Sequence, residues 1–190
     1  LQDPNIHYYR RFGTYPGALV CPRGVYDLWT PFAASQRPPS VGDINARAHD
    51  LGMILERVGV LTDHEPAAYN FLLDWLAQAV QYPEVKSVMV VLISKQGAGK
   101  GKFIELLKRM MGEAKVLSTE EPAEHVWGKF NGLMAQAFLV ELDELGRRDF
   151  EDNEKNIKRL ITEPRIQLEK KGVDAVNIFS YHRFMCTTND

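Results

Sequence analysis

Hydrophobic and polar positions follow two different periods along this chain, and the changes between them mark its elements. Ile44, Ala48, Leu51, Leu55 and Val58 recur at helical spacing, and Gly59 is placed to end that run. Pro66 opens a second helix with Phe71, Leu72, Trp75, Leu76, Ala79 and Val80 on one face, and Pro83 stops it. The unbroken apolar run at 88–93 reads as a buried strand. Ile104, Leu107, Met110 and Met111 then give a helical stripe in which the methionines serve as core filler. Ser118 and Glu121 have capping-box spacing ahead of Val126 and Trp127. A strand follows at 137–142, ending in acids, then a helix around Ile157, Leu160 and Ile161. Two strands, 165–169 and 173–179, meet at Lys170-Lys171-Gly172, and residues 184–188 read as a last buried strand. Strands alternating with helices predict an α/β fold with a mostly parallel sheet flanked by helices.

Residues 1–40 have no such period. Tyr8, Tyr9, Phe12, Tyr15, Tyr26, Trp29 and Phe32 stand among Pro and Gly, and the segment closes on Gln36-Arg37-Pro38-Pro39-Ser40. This predicts short strands and loops ending in a connector. Arg10, Arg11 and Arg23 interleave the aromatics, which suits base stacking. The preferred reading is a small core overlaid by arginine stems, because large aromatics mostly bury. Three regions result: an aromatic-rich strand/helix region at 1–42, a helical layer at 43–84 and a core domain at 85–190.

Composition narrows the picture. With 45% hydrophobic and 25% charged residues, the 190 residues support one sizeable core, and no apolar run approaches a membrane span. A net charge of −2 does not recruit nucleic acid in bulk, so such a contact needs a local basic patch. Cys21 and Cys186 are far apart, and reduced thiols are favoured over a disulfide. The five histidines show no ligand spacing with them, which leaves a zinc site unsupported. The chain opens on Leu1 and stops at Asp190 just after a strand-like run, so it is expected to be a piece of a longer polypeptide, truncated within its core domain.

The chemistry starts at Ser94-Lys95-Gln96-Gly97-Ala98-Gly99-Lys100-Gly101-Lys102, between the strand at 88–93 and the helix that follows. Backbone N–H groups of a turn with little side-chain bulk converge on phosphate oxygens, and the helix N-terminus adds positive potential. Gln96, Gly97, Ala98, Gly99, Lys100, Gly101 and Lys102 are therefore the candidate nucleotide-binding residues, with Lys100 reaching the β/γ-phosphates of ATP. Against the P-loop pattern G-x-x-x-x-G-K-[ST], Ser94 replaces the first Gly and Gly101 replaces the hydroxyl residue that would ligate Mg2+. Asp143 at the end of the acidic strand is the candidate Mg2+ ligand, and Glu144 the candidate to align or deprotonate an attacking water. Glu141 interrupts the same strand and is a further acid able to face the site. Asn189, past the last strand, is placed to bond a γ-phosphate or the water. Lys170 and Lys171 read locally as a solvated turn, or as a grip on a phosphate backbone.

The order of these pieces resembles the superfamily 3 helicases of viruses and mobile elements, above all the helicase part of phage and plasmid-type primase-helicases, relatives of the poxvirus-type enzyme. Tyr26-Asp27-Leu28-Trp29, Trp75-Leu76-Ala77 with Pro83, the 96–101 turn, Gly128-Lys129-Phe130-Asn131, Asp143-Glu144, Lys171-Gly172 and Thr187-Thr188-Asn189 carry the resemblance. It implies a P-loop NTPase with an AAA+-like sheet, working as a homo-hexameric ring that hydrolyses ATP with Mg2+. Such a ring translocates on single-stranded DNA in the cytoplasm, the host's if the protein is viral, with a primase or polymerase fused or bound. Lys100, Asp143, Glu144 and Asn189 would be catalytic, and Lys170 and Lys171 would line the DNA channel. An arginine from the next subunit would complete the site from beyond Asp190; Arg147, Arg148 and Arg183 match no such role. Gly101 beside Lys102 departs from the pattern and keeps a second reading open, a non-hydrolysing nucleotide-binding ring subunit or scaffold. A P-loop kinase would need a lid and an acceptor site, and the late hairpin argues against it.

Overall fold

The computed structural model describes Tyr9 and residues 11–36 and 44–189, with no side chains described for 44–47. Tyr8, Arg10, the connector at 37–40, the Ile44 side chain and Asp190 lie outside the described residues. At the N-terminus, β1 (Arg11–Gly13) and β2 (Val25–Asp27) pair in parallel, with Phe12 opposite Tyr26. Two helices follow, α1 (Ile44–Leu61) and α2 (Pro66–Gln81). The rest alternates: β3 (Val90–Ile93), α3 (Lys100–Met111), β4 (Val116–Thr119), the single turn α4 (Pro122–His125), β5 (Leu139–Asp143) and α5 (Arg147–Thr162). The antiparallel hairpin of β6 (Arg165–Lys170) and β7 (Val173–Phe179) precedes the last strand, β8 (Arg183–Thr188).

The central sheet has the order β3-β8-β5-β4 and every pair in it is parallel. All six residues of β8 are buried, as a strand flanked on both edges and covered on both faces must be. Period-two alternation sends Leu139 and Met185 into one apolar cluster with α2 and α3, and Val140, Leu142, Phe184 and Cys186 into another with α5 and the hairpin. Because the strands are parallel, Ile93, Asp143 and Thr188 finish at the same edge. The late strand β8 lies between β3 and β5, so its end stands between the glycine turn and the acids.

Several sequence expectations change in detail. Helix α1 runs through Gly59 to Leu61, and the chain turns instead at Asp63 and His64, with φ of 51° and 54°. Gly59 answers a different need: a Cβ there would come within 2.8 Å of His64 Nδ1. The capping box does not form, because Ser118 belongs to β4; Thr119 Oγ1 accepts the Glu121 N–H at 3.0 Å in its place. The buried stripe of α2 is narrower than its sequence suggests, since Leu72, Trp75 and Ala79 are buried while Phe71 and Val80 stay exposed. Both cysteines are free thiols. No described helix is long and apolar enough to cross a membrane.

The N-terminal aromatics divide into two groups, contrary to the expected small core. Trp29 and Phe32 pack edge-on against Phe138, with ring centroids 5.6 and 5.1 Å away, and Lys115 Nζ lies 3.7 Å over the Trp29 ring. Burial pushes the Lys115 ammonium down to about 8, opposed in part by Asp27. Asp27 Oδ1 accepts from the Tyr15 and Trp29 backbone N–H groups, so Tyr26-Asp27-Leu28-Trp29 works here as a local fastening of this region to the core. Tyr9, Phe12 and Tyr26 remain outside that core, 51%, 36% and 52% exposed.

Candidate functional site

Strand β3, the glycine turn and α3 build the first wall. Gly97 and Gly99 hold φ of 85° and 93°, a region that side-chain-bearing residues rarely enter. Gly99 is also the N-cap of α3 and supplies no side-chain cap, so the first helical N–H groups have no side-chain acceptor from the cap position. A Cβ on Gly99 would run into the guanidinium of Arg57 on α1, whereas one on Gly101 would meet nothing within 4 Å.

Lys100 curls back over this turn. Its ammonium donates to Ser94 O at 2.7 Å, Ser94 Oγ at 3.1 Å and Asn189 Oδ1 at 2.9 Å. All three acceptors are neutral, and among the described residues Lys100 forms no ion pair. Lys102 lines the same wall but is paired with Glu105 at 2.9 Å.

The opposite wall is acidic. Glu141 and Asp143 lie on one face of β5, and Thr187 of β8, in register with Asp143, donates to Asp143 Oδ1 at 2.6 Å and to Glu141 Oε1 at 3.4 Å. Burial pushes the Glu141 carboxyl above its ordinary range; the Asp143 charge adds to this, against hydrogen bonds from Ser118 and Thr187 and the charge of Lys108. Glu144 follows the strand at φ 54° and accepts from Asn189 Nδ2 at 3.3 Å. Asn189 thus bridges the Lys100 ammonium and the Glu144 carboxylate through its two amide atoms. One cleft of about 530 Å³ is lined by all seven residues Gln96 to Lys102 with Glu105, Glu141, Asp143, Glu144 and Asn189.

The hairpin stands apart from this cleft. Lys170 and Lys171 are exposed at its tip, where Gly172 takes φ 78°. Its first strand is clamped toward the tip by Asn131: Nδ2 donates to Gln167 O at 2.9 Å and Oδ1 accepts the Glu169 N–H at 3.0 Å. The side-chain amide thereby imitates a strand partner along β6. Gly128 lets the chain reach there, since a Cβ would strike the Ala123 carbonyl and come within 2.9 Å of Glu124 O. Asn131→Ala leaves two β6 backbone groups unpaired beside a mostly buried position and is expected to destabilise the hairpin by about 1–3 kcal/mol. Hydrogen exchange at the Glu169 amide checks it; unchanged protection would show that the clamp holds nothing.

Residues 92–190 match a family of unknown function, DUF5906. The chain belongs to the DUF5906 family. That match starts inside β3 and takes in the turn, the acidic strand, the hairpin and β8. This DUF5906 chain is also 26% identical over 137 residues to a DNA primase-polymerase of Nitratiruptor phage NrS-1, covering 68% of this chain and 18% of that relative's length. Solved apo structures of the NrS-1 C-terminal region superpose with TM-scores of 0.73 and 0.68, at 20% identity, over 94% of this chain and 42% of theirs. At that identity the likeness establishes the shared mixed α/β fold. The chain spans less than a fifth of the phage relative.

The DUF5906 site also contains residues that sequence reasoning passed over. Arg57 carries no motif, and only the folding of α1 onto the turn brings its guanidinium beside Gly99. Thr187 stands in a recognised triplet, yet its bridging of two carboxylates follows from the β5–β8 register alone. Of the unmatched arginines, Arg147 pairs with Glu151 at 3.1 Å on the surface and Arg148 is exposed. Arg183 is fully buried, donating to Gln78 Oε1 at 3.2 Å and Tyr82 O at 3.4 Å, and burial pushes it down to about 10. Its place is inside the sheet–helix packing and not at a neighbour's cleft.

Proposed function

We propose that the cleft binds Mg2+·ATP and that this DUF5906 chain is the ATP-hydrolysing part of a viral or mobile-element replication protein, a superfamily 3-like helicase module moving on single-stranded DNA. The observation that carries the reading is an unneutralised cation facing carboxylates across one cleft. Lys100 is held by neutral acceptors, and Asp143 by a hydroxyl; neither charge pairs with the other. A polyphosphate with a divalent cation has the alternating charge that fits between them. The relation to a phage primase-polymerase supports a role in DNA replication. The strand order, with β8 placing Asn189 between turn and acids, agrees with the AAA+-like sheet of the resemblance.

The donor set fits Mg2+, which keeps most of its waters and needs only one or two carboxylates. Asp143 would hold it, with Thr187 fixing one of its oxygens; the ion when bound neutralises phosphate charge. Asn189 orients Lys100 toward the phosphates and Glu144 toward the water. Glu144 takes the water's proton. Glu141, kept toward its neutral form by burial, supplies less charge than its sequence position suggests. The homo-hexameric ring, the trans arginine and the primase partner belong to this proposal as expectations of the resemblance. A second reading, nucleotide binding without hydrolysis, is favoured by one feature: Gly101 offers no hydroxyl, and Lys102 is engaged by Glu105.

Binding of a non-cleavable Mg2+·ATP analogue tests the first step. Lys100→Ala is expected to weaken it at least about tenfold, since a charge-assisted phosphate contact contributes on the order of 1.5–3 kcal/mol. Equal binding by wild type and variant would reject the site. Binding without turnover in the presence of DNA would select the second reading.

A further inference from the structure

A second groove lies away from the nucleotide cleft. Two short parallel strands and the hairpin side that carries Leu168 and Val176 enclose about 650 Å³, with Tyr9, Phe12, Tyr26, Arg11 and Lys170 also among the lining residues. Phe12 and Tyr26 sit opposite each other in the β1–β2 register, so their rings share one face of the ribbon. Tyr9 meets Tyr26 edge-on, with centroids 5.2 Å apart and planes at 73°. In that edge-on pair one ring's edge covers part of the other's face, and all three side chains remain a third to a half exposed. Trp29 and Phe32, a few residues away, are drawn into the main core, so the exposure of the other three does not come from a lack of core to enter. Arg11 and Lys170 border the rings, Lys171 follows at the exposed hairpin tip, and Asp174 is the one acid among the lining residues.

We propose that this groove is a base-stacking site for single-stranded DNA, in which the Tyr9, Phe12 and Tyr26 rings take bases while Arg11 and Lys170 hold the adjoining phosphates. The charge and the surface both select this occupant. Aromatic faces stack on any base, and flanking cations track the backbone, the pairing used by sequence-tolerant single-strand binders. A purely apolar partner would leave two cations facing it, with Asp174 as the one lining counter-charge. The proposal rests on the replication reading above and deepens it: the hairpin lysines hold phosphates at the tip, and the aromatic ribbon reads the same strand at the hairpin's side.

The test uses the full-length protein and two labelled strands of equal length at one fixed salt concentration, an oligo-dT and an abasic strand with the same phosphodiester backbone. Wild type is expected to prefer the base-bearing strand. Tyr26→Ala should weaken oligo-dT binding roughly five- to hundredfold, the range of one lost stacking contact, and leave the abasic strand within about twofold. Tyr26→Trp should restore oligo-dT affinity, because any large ring serves; Phe12→Ala repeats the loss from a second position. Equal affinity of wild type for both strands, or equal loss on both in Tyr26→Ala, overturns the stacking site. So does an unchanged oligo-dT affinity in both alanine variants. Mg2+·ATP analogue binding is measured on the same variants. Its retention shows that the nucleotide reading survives failure of the groove, and stacking-dependent DNA binding in Lys100→Ala shows the converse.

Discussion

Glu144→Gln is expected to lower ATP turnover by roughly 10²–10⁴-fold, the usual contribution of a general base, while Mg2+·ATP binding stays within a few-fold of wild type. The side chain lies in the cleft within reach of Asn189 and outside the Thr187–Asp143 contact, so the amide keeps the shape and removes only the basicity. Asp143→Asn should differ in kind: it removes the carboxylate proposed to hold Mg2+ and should raise the half-saturating Mg2+ concentration as well as slow turnover. The backbone adds an independent check. Glu144 sits at φ 54°, where a residue with a Cβ is strained. Glu144→Gly should therefore raise unfolding stability by about 1 kcal/mol and abolish turnover together. A variant that loses stability, or keeps turnover, would mean that the conformation serves only the turn before α5.

The strand, glycine turn and helix of the first wall were legible because local features coincide there: an apolar run, glycines that alone tolerate φ of 85° and 93°, and a helical stripe. The acidic end of β5 was legible for the same reason. What brings Lys100 and Asp143 to one cleft is the placement of β8 between their strands, and that is long-range pairing with no local signature. The resemblance supplied the order of the parts; the register supplied the contacts. Arg57 illustrates the limit, since nothing in Leu55-Glu56-Arg57-Val58 distinguishes it from a surface arginine. The N-terminal ribbon fails in the other direction. Aromatic content argued for burial, yet Tyr26 and Trp29, three residues apart, take opposite roles: one ring faces out from β2 while the other turns, with Asp27 bonding its backbone, onto Phe138. Gly59 and Ser118 misled because a helix stop and a capping box are spacing rules, and here a close approach to His64 and a strand end took the same residues.

Acidification should loosen the hairpin's attachment before it harms the glycine turn. His182 is buried at the entry to β8, with Nε2 2.9 Å from Met134 O and Nδ1 3.0 Å from Ser180 Oγ. Those contacts suit the Nε2–H tautomer, which donates to Met134 and accepts from Ser180. Ser180 Oγ in turn accepts from Lys86 at 3.4 Å, and Lys86 also caps α5 through Leu160 O and Glu163 O at 2.8 and 2.7 Å. Burial lowers the imidazole from 6.5 to about 4; the Met134 bond opposes this and the Lys86 charge adds to it. Between pH 6.5 and 4 the unfolded chain therefore binds a proton that the folded one refuses. Stability is fully present above pH 6.5 and falls as pH drops through that window, by about 1.4 kcal/mol per unit and about 3 kcal/mol in all. Lys86, itself pushed down to about 8 by burial against the pull of Glu163, is protonated in both states across this window and adds no slope. Glu141, pushed up, acts with the opposite sign, stabilising the fold as it is protonated. Urea unfolding from pH 7 to 4.5 isolates the histidine by difference: His182→Gln keeps a donor for Met134 and does not titrate, so its curve should be flatter than wild type by about 1.4 kcal/mol per unit. Parallel curves would place the acid sensitivity elsewhere and leave the Lys86–Ser180–His182 chain with a packing role alone.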